Sequence, residues 1–210
     1  MATICPAVLA TEPHEFREQM ERIAHFAQRV QIDLTDGLFA IAKTVSLEQA
    51  WWPHSIDADL HLMYKRPDLY LDKILSLEPS LVIIHAEAEG DFVPFANALR
   101  EAGIKVGVAL LPRTKTELIE PALDMIDHIL IFSGDLGYFG GHADLTLLNK
   151  VKRLKELKPE LEIGWDGGVN DENARDLSEG GVDVLNVGGF IQKADDPQAA
   201  YATLQEIAKG

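Results

Sequence analysis

One cysteine, Cys5, stands in the whole chain, so no internal disulfide framework is available. Basic residues are few: nineteen Lys and Arg face thirty-four Asp and Glu, a formal charge of −15. That balance repels nucleic acid and anionic membrane surfaces and favours a dispersed protein. No apolar run is long enough for a membrane span, and the first residues have neither a basic start nor a long apolar segment, so the cytoplasm is the expected compartment. Linker-like and low-complexity stretches are missing too. With 210 residues, 47% of them hydrophobic, residues 1–210 are expected to form one domain around one core. No Rossmann glycine pattern, Walker loop or nucleophilic triad is present.

What is there is a regular alternation. Brief Ile-, Val- and Leu-rich runs are followed by longer amphipathic segments at helical spacing, the pattern of βα units feeding a parallel sheet. The strands are expected at 3–9, 30–34, 56–63, 81–85, 105–110, 128–132, 161–165 and 184–187. Helices are expected at about 13–27, 47–52, 67–77, 92–102, 116–123, 145–157, 171–179 and 197–208. Eight such units in this length predict an α/β fold, a (β/α)8 barrel, rather than an open doubly wound sheet.

Barrels of this kind carry their chemistry at the C-terminal ends of the strands. Asp33, His61, His85 and Asp166 all fall there. Gln31 and Asp33, two residues apart on one strand, share a face. If that face is the barrel interior, Gln31, Asp33, His61 and Asp166 converge. The last three strand-end loops carry glycine pairs, Gly140-Gly141, Gly167-Gly168 and Gly188-Gly189, with no Lys or Arg among them. A lone pair reads as a turn, but three successive pairs let backbone amides approach a phosphate, helped by a short helix starting after Val187. His85 reads as a structural group beside Glu87. His142 either contacts a substrate or faces water. Trp51-Trp52-Pro53 points to core packing or a subunit contact, with packing favoured.

Across nearly its full length the chain resembles the ribulose-phosphate 3-epimerases. The matching pieces are Ile4-Cys5-Pro6-Ala7-Val8-Leu9, Asp33-Leu34-Thr35-Asp36-Gly37 with Phe39, and Asp59-Leu60-His61-Leu62-Met63. They continue with His85-Ala86-Glu87-Ala88, Phe139-Gly140-Gly141, Asp166-Gly167-Gly168-Val169-Asn170 and Val187-Gly188-Gly189. Their order and spacing are specific for the superfamily. The resemblance implies a phosphorylated ketose epimerised beside its carbonyl on a divalent metal held by two His and two Asp. Carried over by position, Asp33 and Asp166 are the proton-transferring carboxylates and metal ligands, and His61 is a metal ligand. Met63 lies near the substrate. The second His position is Gln31 here. Further departures are Ala7 for Ser, Thr35 and Phe132 for Met, a longer Gly134–Tyr138 loop, and Gly189 for a small hydroxyl residue.

The chemistry suits these residue types. Removing a proton beside a ketone needs a positioned base and a charge against the developing enediolate, which a divalent cation supplies. Inversion needs removal from one face and return to the other, by one ionised and one protonated carboxylate. Gln31 offers a carbonyl oxygen, so the expected ligand set is Gln31, Asp33, His61 and Asp166. That set shifts preference from zinc towards harder ions such as magnesium or manganese, with iron also a candidate. The opposing reading is a plain hydrogen-bonding Gln31 in a site that has lost its metal. The expected partner is a small-molecule sugar phosphate, and the expected assembly a homo-oligomer. Two alternatives stand beside the epimerase: an enediolate-type lyase on the same barrel, and a catalytically silent phosphosugar-binding protein.

Overall fold

The computed structural model describes residues 1–209. Eight parallel strands close in sequence order into a barrel: β1 (Thr3–Val8), β2 (Arg29–Thr35), β3 (Asp57–Met63), β4 (Leu81–His85), β5 (Lys105–Leu110), β6 (His128–Phe132), β7 (Glu162–Asp166) and β8 (Val184–Val187). The helices are α1 (Pro13–Ile23), α2 (Leu71–Leu77), α3 (Phe92–Glu101), α4 (Leu148–Leu157), α5 (Ala174–Glu179), α6 (Gly189–Gln192) and α7 (Pro197–Lys209). This is the (β/α)8 barrel that the alternation predicts.

Strand alternation sorts the side chains into two apolar layers. On β2, Val30, Ile32 and Leu34 pack outward beneath the helices, while Gln31, Asp33 and Thr35 turn inward. A second cluster, Leu81, Ile83, Ala109 and Leu130, fills the middle of the barrel itself. Above this belt the interior becomes polar again at the strand C-termini, and below it a charged group closes the other end. There Arg29 donates from Nε to Asp59 at 2.7 Å and from both terminal nitrogens to Glu162 at 2.9 and 2.8 Å. His128 Nδ1 lies 2.6 Å from Glu162 Oε2. Burial pushes Glu162 up, but the His128 and Arg29 contacts outweigh it and hold the carboxyl well below the usual range. This cluster caps the barrel's lower end, where residues serve stability.

Two expected helices are absent in α form. Residues 116–123 fold instead as 3-10 turns at Thr116–Leu118 and Glu120–Met125. Pro121 lies inside that stretch; it removes an N–H and disfavours helical geometry at Glu120. Residues 47–52 make a single turn, with Gln49 and Ala50 amides both donating to the Ser46 carbonyl before Pro53. The first helix is also shorter than expected, its cap following Ile23. No helix among the described residues is long and apolar enough to cross a membrane.

Candidate active site

Neighbouring strands in register bring the polar residues together: Asp33 pairs with His61 across β2 and β3, and Asp166 pairs with Asn186 across β7 and β8. The centre is Gln31. Its Nε2 donates to Asp33 Oδ1 at 2.8 Å and to Asp166 Oδ2 at 2.7 Å, so one amide nitrogen joins the two carboxylates. His61 Nδ1 lies 2.8 Å from Asp33 Oδ1 and 3.7 Å from Asp166 Oδ2. Gln31 and His61 are fully buried, whereas the Asp166 side chain keeps 16% of its surface open. The carboxylates thus form a floor on which a ligand can rest, with the amide and the imidazole beneath it.

Electrostatics divides the pair. Burial, and then the charge of Asp33, push Asp166 up to about 7, against the pull of His61 and the Gln31 hydrogen bond. Near neutrality Asp166 therefore holds a proton part of the time. A carboxyl poised in this way can give or take a proton with little driving force lost.

His85 sits beside Glu87 as expected and also reaches His61. Its Nε2 lies 2.9 Å from His61 Nε2, while Glu87 Oε2 stands 3.6 Å from its Nδ1. Burial, opposed by Glu87, pushes His85 down to about 4 and keeps the ring neutral. The Phe39 ring lies against His85, centroids 4.7 Å apart and planes tilted by 37°.

The glycine pairs lie at the mouth, and each contains a glycine with a packing reason. A Cβ on Gly167, at φ +111°, would stand 2.1 Å from the Gly134 nitrogen, and one on Gly168, at φ +71°, would stand 2.3 Å from that of Ala143. Here the loop after β7 crosses the loop after β6 backbone to backbone, and Gly168 N–H already donates to the Gly140 carbonyl at 3.2 Å. Gly188 accommodates the Phe139 ring, while nothing comes within 4 Å of a Cβ on Gly189. Gly140 is also open, whereas a Cβ on Gly141 would meet Gly134 at 2.9 Å. Met63, Gly140, Gly167, Gly168, Gly188 and Gly189 line the same cavity as Asp33 and Asp166. His142 is exposed; only its carbonyl is engaged, by Ser133 Oγ. Trp51 packs edge-on to Phe16 and remains partly exposed.

Asn186 also lines the cavity, and sequence reasoning passed over it. The available signal was a carboxamide inside an otherwise apolar four-residue strand. The Arg29, Asp59, His128 and Glu162 cluster was missed too, because its members are spread over four strands.

Asp33, His61 and Asp166 each offer one ligand atom, all within 4.8 Å of one another, an arrangement able to hold a metal ion. As it stands Gln31 turns its nitrogen to the carboxylates, and its Oε1 is buried without a hydrogen-bond partner. Three of the four expected ligands therefore fit a cation directly. The fourth fits if the amide turns over, which would bring the orphaned oxygen round.

A (β/α)8 barrel with two linked carboxylates and a histidine at the C-terminal mouth defines a class: barrel proteins with a carboxylate–imidazole site able to hold a metal ion. Sequence comparison gives the family. The family model described as "Ribulose-phosphate 3 epimerase family" matches residues 3–191. Ribulose-phosphate 3-epimerase of Helicobacter pylori (strain ATCC 700392 / 26695) is 30% identical, over 97% of this chain and 97% of the relative. That of Mycobacterium tuberculosis (strain ATCC 25618 / H37Rv) is also 30% identical, over 98% of this chain and 92% of the relative. The chain belongs to the ribulose-phosphate 3-epimerase family. Among solved structures, KGPDC from Streptococcus mutans superposes with a TM-score of 0.75 at 16% identity, covering 100% of this chain and 98% of that one. The 3-hexulose-6-phosphate synthase from Salmonella typhimurium gives 0.70 at 14% identity and 99% of each chain. These two likenesses concern the fold alone.

Proposed function

We propose that the protein is an epimerase acting on a phosphorylated ketose of the ribulose 5-phosphate kind, at the carbon adjacent to the carbonyl. The observation that carries this reading is the junction of Asp33 and Asp166 through Gln31, with Asp166 poised near neutral pH. Asp33 takes the proton from one face of the carbon, the C–H electron pair moving into the enediolate. Asp166 returns a proton to the opposite face, and the spent pair re-equilibrates with solvent through the open edge of Asp166. Gln31 and His61 orient the two carboxylates from below.

A divalent cation held by Asp33, His61 and Asp166 would supply positive charge against the enediolate. With the Gln31 oxygen as fourth ligand, the donor set favours magnesium or manganese over zinc. The phosphate end is assigned to the rim at Gly188 and Gly189, with Gly140, Gly141, Gly167 and Gly168 shaping the neighbouring loops. Met63 supports the sugar.

The test is solvent-deuterium exchange into ribulose 5-phosphate and its six-carbon relatives, with elemental analysis of protein purified without chelator. Exchange at C3 that disappears in Asp33→Asn and in Asp166→Asn is the expected result; binding without exchange would overturn the epimerase. The latter outcome fits the second reading, a catalytically silent phosphosugar-binding protein. One observation favours it: the oxygen Gln31 would offer a cation is turned away from the carboxylates and buried without a partner. A Schiff-base lyase is disfavoured, since no lysine lines the cavity among the described residues.

The same reading includes a single-domain cytoplasmic enzyme that self-associates through its rim. Leu38, Ile41 and Tyr138 are 74%, 96% and 61% exposed there. Light scattering of the wild type and of Ile41→Lys tests this; an assembled wild type and a smaller variant are expected.

A further inference from the structure

Asn186 is the polar residue of β8, and it has no partner. Leu185 and Val187 belong to the apolar layer beneath the helices, so Asn186, between them, turns into the barrel. It is 2% exposed, and both its Nδ2 and its Oδ1 are buried with no hydrogen bond. Buried carboxamides nearly always have partners, because an unpaired donor or acceptor forfeits its water without compensation. Here neither atom is compensated from within the protein.

Its position says what could compensate it. Asn186 lines the mouth cavity, in register with Asp166 on one side and two residues below Gly188 on the same strand. It therefore stands on the wall between the proton-transferring pair and the rim assigned to the phosphate. A ligand spanning those two points lays its connecting carbons along this wall. In a five-carbon ketose phosphate reacting at C3, the connecting carbon is C4, which carries a hydroxyl. In a six-carbon substrate it is C4 and C5.

We propose that Asn186 is a substrate-binding residue whose carboxamide recognises the hydroxyl on the carbon between the reacting centre and the phosphate of a ketose phosphate. This rests on the epimerase reading of the same cavity. A hydroxyl is both donor and acceptor, so it can take a proton from Nδ2 or give one to Oδ1. A site built to hydrogen-bond a hydroxyl discriminates strongly against an analogue without it, since the protein groups are then left unpaired again.

Calorimetric titration of ribulose 5-phosphate and its 4-deoxy analogue tests this, with wild type, Asn186→Leu and Asn186→Ser. Leucine keeps the volume and removes both polar atoms; serine keeps a hydrogen-bonding group. Wild type is expected to bind the hydroxylated sugar about tenfold more tightly than the analogue or better. Asn186→Leu should bind both at the analogue's level, and Asn186→Ser should retain part of the preference. A wild-type preference that survives in both variants overturns the proposal, as does an equal loss for both sugars, which marks a packing effect. If the leucine variant does not fold, the serine variant decides by the same ratio. A wild type that binds neither sugar overturns the sugar-phosphate reading itself, and this inference with it.

Discussion

His61 Nε2 stands 2.9 Å from His85 Nε2, so one proton is shared between two buried rings. His85 is neutral and has one proton to place. If that proton is on Nε2 it goes to His61, whose own proton then lies on Nδ1 and goes to Asp33. If it is on Nδ1 it faces Glu87, and His61 donates from Nε2, leaving its Nδ1 lone pair open to a cation. Glu87, 3.6 Å from His85 Nδ1, thus favours the ligand form of His61 through the one ring between them.

Replacing Glu87 by Gln should therefore weaken divalent-cation binding about tenfold, the usual size of such outer-shell effects. Competition against a fluorescent chelator measures this directly. An unchanged affinity would show that the carboxylate has no part in choosing the tautomer.

Changing Gln31 to His should act in the opposite direction. An imidazole adds a nitrogen ligand beside Asp33, His61 and Asp166 and suits zinc. Zinc retained after dialysis should rise towards one per chain in Gln31→His, well above wild type. Equal metal content in both would mean that the Gln31 position contributes nothing to the site.

The poise of Asp166 sets a pH dependence for activity. In the proposed mechanism the competent state holds one proton on the carboxylate pair, and Asp166 loses it as pH rises through about 7. In chelator-treated enzyme the residual kcat/KM should fall about tenfold per unit above that point. Both directions of epimerisation share the profile, because their ratio is an equilibrium constant. Added magnesium should move the break to lower pH, since a nearby cation favours the ionised form.

Stability carries the same sign. The folded pKa of Asp166 lies above its unfolded value, so the folded state binds more protons between about 4 and 7. This contribution to stability is highest below the unfolded pKa, declines through the window, and is a constant cost above it. Asp166→Asn should raise Tm relative to wild type at pH 8, with the gap closing towards pH 4. The shift should be roughly 2–4 °C for each kcal/mol recovered. Thermal melts across pH distinguish this from a uniform shift.

At the barrel's lower end, Arg29→Ala leaves Asp59 and Glu162 without their guanidinium partner. A loss of about 3–5 kcal/mol is expected, as for other broken buried pairs. Glu162 is held low, so its contribution is present above the ordinary carboxylate pKa and is lost as pH falls below it. Denaturant titration at pH 7 and pH 4 should show a smaller effect of the substitution at pH 4. Substrate affinity, read at the opposite end of the barrel, should stay within about twofold, because sites that share no partners act independently.

Much of the molecule was legible from one dimension. Strand order, helix order and the inward face of β2 follow from apolar spacing, since each strand must bury one side against the helices whatever its partners are. Motifs at strand ends placed Asp33, His61 and Asp166 at one mouth. The misread helices have local causes: Pro121 breaks one, and a single turn before Pro53 replaces the other. The neighbour of His85 along the chain, Glu87, was legible, while its second contact, His61, lies on the preceding strand and was not.

The sequence by itself determined that this would be a barrel with two carboxylates and a histidine at its mouth, because periodicity and strand-end position are properties of neighbours along the chain. Only the tertiary structure decided how those groups face one another. Closing the barrel turned the Gln31 nitrogen onto both carboxylates, ran a hydrogen-bonded chain from Asp33 through His61 to His85, and left Asn186 unpartnered on the wall. Hydrogen-bond partners and local dielectric depend on what is packed alongside, and on β2 and β7 that is settled by ring closure through β1 and β8.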